Sequence, residues 1–291
     1  MLNVLIALLP SVIAGTVIFG LRALVLVVLC AAFCVIWEML FNIVTKRRQT
    51  TSDLSAVVTG VLLGLNLPPS LPIYMAAIGC FAAIVVVKQF FGGIGQNFAN
   101  PAITARIILM LSFGKQMTTW TEPFPFGRSA ADAISSATPL AGPETLPSYL
   151  DMFLGNRAGC IGETCIAALL LGGLYLIARG IIDPVTPAAF IGTTALLAFI
   201  GGYDVPMQLM SGGLVLGAFF MATDYATTPI TRAGKLIFAV GCGVLTCAIR
   251  FFGIYPEGVS FSILIMNVFT PLIDRYVRPK PFGVKKEAGR K

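Results

Sequence analysis

Apolar stretches recur along almost the whole chain, each roughly 15 to 22 residues long, about the length a helix needs to cross the hydrocarbon of a bilayer. They lie near 2–21, 23–44, 54–68, 72–91, 97–114, 160–180, 186–202, 207–224, 233–252 and 258–277, about ten in all. Charged residues make up only 11% of the chain, against about a quarter in soluble domains, which excludes a soluble globule. Inside lipid every backbone N–H and C=O must find a partner within its own segment or a closed barrel, and segments of this length select helix. The expected fold is therefore an all-α polytopic membrane protein of about ten transmembrane helices. Several stretches are short or interrupted by Pro and Gly. The first lacks a basic leader and is followed at once by a second, so it reads as retained and not as a cleaved signal peptide.

The net charge of +7 does not call for nucleic acid, because the cations cluster at the ends of apolar stretches. With the N-terminus inside, the inner loops and tail carry Lys46, Arg47, Arg48, Arg179, Arg232, Lys235, Arg275, Arg278, Lys280, Lys285, Lys286, Arg290 and Lys291. The outer loops carry only Arg22, Lys115, Arg128, Arg157 and Arg250. The positive-inside rule then places both termini in the cytoplasm and the loop of about 115–158 on the outer face of the membrane. The expected division is a first membrane repeat over 1–114, an extracytoplasmic loop over 115–158, a second repeat over 159–277 and a basic cytoplasmic tail over 278–291.

All seven cysteines lie in or beside apolar stretches without a CxxC spacing, and there is no histidine, so no metal centre is expected. Cys160 and Cys165, near the outer end of the sixth stretch, are the pair for which oxidation or ligation stays open.

Five stretches before the polar loop and five after it suggest duplication, and an odd number per half predicts two inverted five-helix repeats. Asn97-Phe98-Ala99-Asn100-Pro101-Ala102-Ile103-Thr104-Ala105-Arg106 is echoed by Asp224-Tyr225-Ala226-Thr227-Thr228-Pro229-Ile230-Thr231-Arg232. Pro and polar residues close to membrane depth predict broken or re-entrant helices whose ends suit an ion or the polar edge of a cofactor. Asn100, Asp224 and Thr228 are the candidates for that role; the competing reading makes the same residues helix caps just outside the hydrocarbon. Of the acids in or near the stretches, Glu38, Asp53, Glu163, Asp183, Asp224 and Asp274, most suit interfaces, with Asp53 placed to cap its helix, Asp183 before Pro184 and Asp274 beside Arg275, whereas Glu38 and Asp224 are harder to place there. Gly92-Gly93-Ile94-Gly95 has no GK[ST] beside it and is not a phosphate-binding loop.

The one long polar stretch contains Asp132-Ala133-Ile134-Ser135-Ser136-Ala137-Thr138. Small residues leave the Thr138 hydroxyl uncrowded, and Pro139 biases Thr138 toward an extended backbone. It reads either as an ordinary Ser/Thr-rich loop or as a modification site. Trp120, Phe124 and Phe126 nearby suit either a stacking surface or an interfacial aromatic belt.

On these residues the chain resembles the D subunits of the Rnf ion-translocating ferredoxin:NAD oxidoreductase complexes, and more distantly the B subunits of the sodium-translocating NADH:quinone reductases. The likeness runs nearly end to end. Asp132, Ser135, Ser136, Ala137 and Thr138 look like the flavin-transfer motif of that family, with Ser136 where Gly is often found. The resemblance implies that Thr138 carries FMN through a phosphoester installed by a magnesium-dependent flavin transferase. It further implies a noncovalent flavin, riboflavin, between the spans, and partner subunits in the cytoplasmic membrane of a bacterium or archaeon. No dinucleotide fingerprint or iron–sulfur motif is present, so the implied role is an electron relay coupled to Na+ or H+ transport, not a complete active site. The alternative from organisation alone is a small-solute transporter or channel without a redox cofactor.

Overall fold

The computed structural model describes residues 1–123, the backbone of 135–136, and residues 148–253 and 258–277. Among these the chain is helical almost throughout, and every apolar stretch read from the sequence contains helix. Three helices are long and apolar enough to cross a membrane: α1 (Leu2–Phe19), α2 (Leu21–Val44) and α12 (Arg232–Phe252). Shorter apolar helices are α3 (Ser55–Leu65), α4 (Ile73–Phe81), α5 (Pro101–Ser112), α8 (Ile166–Ala178) and α9 (Val185–Ile200), and α13 (Val259–Tyr276) closes the described chain. Short pieces α6 (Gly114–Met117), α7 (Tyr149–Leu154), α10 (Val205–Met210) and α11 (Leu214–Leu216) complete the set. The described strand is one antiparallel pair, β1 (Trp120–Thr121) with β2 (Ser135–Ser136), Trp120 opposite Ser136.

Small residues let the helices approach. A Cβ on Gly60 of α3 would sit 2.5 Å from the Ala31 Cα and 2.6 Å from the Cys30 carbonyl of α2, and one on Gly64 would sit 2.9 Å from the Val27 Cα. Gly243 does the same for α12 against Thr193 of α9, at 2.7 Å. Close backbone contact through small residues is how helices associate where water supplies no hydrophobic drive between them. The outward faces are apolar, as with Leu9, Ile13 and Val17 on α1 and Val25, Val28 and Ile36 on α2.

Two apolar stretches change pitch. The α4 helix continues as a π-helix over Ala82–Gln89, and α11 continues as a second over Gly217–Met221. Each is followed by irregular backbone and then by a helix with a side-chain cap: Asn100 caps α5, and Thr231 caps α12 through the Gly234 N–H at 3.0 Å. The first turn uses Gly92 and Gly93 at φ of 115° and 100°, angles an L side chain rarely adopts.

The stretch 160–180 is not one continuous helix. Residues 157–164 are buried and irregular, and α8 begins only at Ile166. This segment is held by Ile161 N donating to Leu67 O (3.2 Å), Gly162 N to Leu65 O (2.8 Å) and Ser11 Oγ to Gly162 O (3.1 Å). Irregular backbone at such depth persists only when protein groups satisfy it, as here. The stretch 207–224 is likewise broken, into α10, α11 and the second π-helix.

The two ends of the bundle differ. At one, Arg47 donates to Gln89 O (3.3 Å), Arg232 lies 3.5 Å from Asp183, and Ile230 N donates to Asp274 (3.1 Å). At the other, Arg22 donates to Ser70 O (3.0 Å), Tyr149 to Asp204 (2.6 Å) and Arg250 to Gln208 O (2.6 Å), and Ser70 donates to Thr119 O beside the strand pair.

Candidate functional site

A cavity of about 790 Å³ opens among the elements that meet at the first of these ends. Its walls are mostly apolar, with Val58, Leu62, Phe219 and Phe220, and its polar groups converge from both echoed segments: Asn97 and Asn100 from one, Asp224 and Thr228 from the other. Lys88, Ser55 and Thr59 complete one side. This mixture of apolar wall and few aimed polar groups is what small-molecule sites have. The Asn97 Oδ1 is a buried acceptor without a hydrogen-bond partner among the described residues.

Asn100 both caps α5 and lines the cavity. Its Oδ1 accepts from the N–H groups of Ala102 (3.0 Å) and Ile103 (3.3 Å), capping α5, while its Nδ2 donates to Met221 O across the cavity wall (3.4 Å). Asn267 of α13 ties the two segments together: oriented to satisfy both partners, its amide accepts from Asn100 N and donates to Thr227 O, each at 3.1 Å. Asp224 accepts from Ala226 N (3.4 Å) and Thr227 Oγ1 (3.2 Å), and Thr228 donates to Asp224 O (2.7 Å), so both hold their own turn while lining the cavity. Because the echoed segments share one cavity, their likeness does not itself carry an inversion, which would send matching segments to opposite ends. Asp53 and Asp183 do occupy helix starts, accepting from Ser55 N (2.7 Å) and Val185 N (3.1 Å).

Two buried ionic clusters flank the cavity. In the first, Glu38 of α2 is fully buried, and its Oε1 accepts from Thr50 (2.8 Å), Lys88 (2.8 Å) and Gln89 (2.9 Å), while Oε2 has no hydrogen-bond partner among the described residues. Lys88 also donates to Ser55 Oγ (2.5 Å). In the second, Arg106 of α5, 3% exposed, donates to Asn66 Oδ1 (2.7 Å) and to Cys160 Sγ (3.5 Å) and lies 3.9 Å from Glu163. Arg157 donates to Glu163 O (2.8 Å), and Glu163 Oε1 accepts from Cys160 N (3.0 Å).

The second cluster links the cavity wall to the strand pair through buried contacts, hydrogen-bonded as far as Cys160 and apolar beyond it. Asn66 Nδ2 reaches Met221 Sδ (3.8 Å) beside Asn100, and its Oδ1 meets Arg106. Cys160 packs with Ala158 and Trp120, and Trp120 pairs with Ser136. Of the heptapeptide, only the Ser135 and Ser136 backbone is described; Asp132, Ala137 and Thr138 lie outside the described residues, as do Phe124 and Phe126. Cys160 is buried and Cys165 partly so, and neither is in a disulfide among the described residues.

Lys88 and Glu163 were not anticipated as site residues, and Arg106 only as the end of an echo. The available signal was a cation inside the apolar run Ile84-Val85-Val86-Val87-Lys88-Gln89, against the rule that membrane cations sit at span ends.

A family model described as the NQR2, RnfD, RnfE family matches residues 1–283. The chain is 48% identical to the D subunit of the Na+-translocating ferredoxin:NAD+ oxidoreductase complex of Acetobacterium woodii, covering 99% of this chain and 92% of that protein. It is 43% identical to the D subunit of the proton-translocating ferredoxin:NAD+ oxidoreductase complex of Clostridium ljungdahlii, over 98% and 92%. To the D subunit of the ion-translocating oxidoreductase complex of Stutzerimonas stutzeri it is 39% identical, over 97% and 91%.

Proposed function

The chain belongs to the NQR2, RnfD, RnfE family, and on that premise we propose that it is the membrane flavoprotein subunit of an ion-translocating ferredoxin:NAD+ oxidoreductase complex. It relays electrons between FMN esterified to Thr138 and riboflavin held without a covalent bond in the cavity. We further infer ten membrane crossings in two five-helix halves; the odd number per half, not the local echo, makes the halves inverted. The basic end and both termini face the cytoplasm and the Thr138 loop faces out, in the inner membrane of a prokaryote. Maturation requires a separate flavin transferase, and the remaining electron carriers belong to partner subunits.

The observation that carries this reading is the cavity, linked through Met221, Asn66, Arg106 and Cys160 to Trp120 of the strand that pairs with Ser135–Ser136 of the Thr138 heptapeptide. Its volume falls within the range of about 300–1,000 Å³ typical of small-molecule pockets. Phe219, Phe220, Val58 and Leu62 offer flat apolar surface to a fused aromatic ring and exclude water from it. Asn97 Oδ1 and the Thr228 oxygen, whose proton goes to Asp224 O, offer acceptors to the ring's polar edge, and the second N–H of Asn100 Nδ2 offers a donor. A flavin supplies chemistry that links two-electron donors to one-electron carriers, while the protein sets its position and potential. Arg106 places a cation along the route, and the Glu163 carboxylate 3.9 Å away offsets part of its charge. Thr138 serves attachment, keeping the outer flavin from loss by dilution.

The energetics accommodate ion transport. A two-electron step across about 100 mV releases roughly 4.7 kcal/mol. Moving one charge against about 100 mV costs about 2.3 kcal/mol, so such a step drives at most about two charges.

Denaturing electrophoresis under ultraviolet light tests the assignment. The chain from cells expressing the transferase should fluoresce, and Thr138→Ala should not. A dark wild-type band would favour the solute transporter, and a fluorescent Thr138→Ala band would remove the attachment site.

A further inference from the structure

The buried pair Glu38–Lys88 is unusual in how unevenly it is satisfied. Among the described residues one carboxylate oxygen takes three donors and the other none, although an unpartnered buried charged acceptor is costly. Lys88 sits on a π-helix, a geometry frequent at functional sites, and stands on the cavity wall beside Ser55. Thr50, one of the three donors to Glu38, is itself exposed at the basic end, so a single hydroxyl separates the buried carboxylate from solvent. The ammonium thus has the cavity on one side and a carboxylate within one residue of water on the other.

Resting on the function proposed above, we propose that Lys88 is a tethered cation that exchanges with a diffusible monovalent cation at Glu38. Before an electron enters the cavity, Lys88 neutralises Glu38 and is steadied by Ser55. An electron reaching a flavin held in the cavity would draw Lys88 toward its negative charge, leaving Glu38 to take up one Na+ or one proton from the basic face. When the electron leaves for the next carrier, Lys88 returns and displaces that cation. Each cycle balances one electron in and out of the cavity against one cation on and off Glu38. The other ionisable groups near the pair or cavity are Arg47, which donates to Gln89 O; Asp53, which accepts from Ser55 Oγ at 2.6 Å; and, on the cavity wall, Asp224, Asp274, the Met1 amino group and Tyr225, which donates to Ile181 O. None of these makes a hydrogen bond or ion pair with Glu38 or Lys88 among the described residues.

The test is the midpoint potential of the noncovalent flavin in the full-length chain, purified in detergent with Thr138→Ala so that only that flavin titrates. It is measured against Na+ at fixed pH and against pH at fixed Na+. The potential of this Glu38- and Lys88-intact chain should rise in one arm by about 59 mV per tenfold increase in the exchanging cation, beyond any slope shared with the variants. Lys88→Met, which leaves Glu38 occupied in both redox states, and Glu38→Gln, which has no charge to occupy, should lack that rise; Lys88→Arg should keep it. Should Lys88→Met lose the flavin, Ser55→Ala replaces it, and freeing Lys88 should raise the potential at fixed cation. Coincident slopes for the intact chain, Lys88→Met and Glu38→Gln in both arms, or an unchanged potential in Ser55→Ala, overturn the exchange. Absence of any noncovalent flavin from the intact chain overturns the functional reading beneath it instead.

Discussion

Asn100 joins three things in one side chain: the cap of α5, a bond to the second π-helix and part of the cavity wall. Asn100→Ala should therefore cost about 1 kcal/mol of stability and release noncovalent flavin, whereas Asn100→Asp should keep the cap and still weaken the flavin. Thermal unfolding in detergent with acid-extractable flavin measured alongside checks both. Asp224→Asn should leave covalent flavin intact while reducing ion-coupled electron transfer; normal pumping in membrane vesicles would leave Asp224 as a turn residue alone. At the opposite end, the Asp204 carboxylate accepting from the Tyr149 hydroxyl raises the pKa of that phenol above its ordinary value of about 10. The contribution is thus present below about pH 10 and lost as pH rises through the raised folded value. A stability–pH slope in that alkaline window should flatten in Tyr149→Phe. At this scale the sequence showed the Asn-Pro and Asp-Thr-Thr-Pro segments, because proline and polar residues stand out in apolar surroundings. It did not show that Lys88 meets Glu38 or that Arg106 meets Glu163, since these partners lie 50 and 57 positions apart and only packing unites them.

Helices were legible wherever an apolar run was long, because lipid leaves the backbone few other options. The breaks were less so. Residues 157–165 are as apolar as a span end, and nothing local announces that Ser11, Leu65 and Leu67 hold their backbone instead of a helical ladder. Both π-helices were also invisible, because the extra residue per turn leaves no compositional mark. The α2–α3 contact makes a sharp prediction: Gly60→Val places a branched side chain against the backbone of Cys30 and Ala31 and should markedly lower the yield of folded protein in membranes. Gly192→Ala on α9, where nothing lies within 4 Å of the new methyl, should leave that yield unchanged or slightly raised. Fluorescence-detected size-exclusion of detergent extracts compares the two.

Across the whole molecule, the basic end holds a cavity and the opposite end a strand pair, with Asn66, Arg106 and Cys160 between them. That arrangement suits a relay whose two cofactor positions face opposite sides of a membrane. Relatives sharing 48% and 43% of residues with the chain are named for Na+ and for protons respectively. The relay stands or falls on the outer cofactor. Cleavage after Arg128 and Arg157 yields one peptide, 129–157, that contains Thr138. Mass spectrometry of that peptide from natively matured protein should find it carrying FMN, with fragmentation assigning the phosphoester to Thr138; an unmodified peptide would contradict the account.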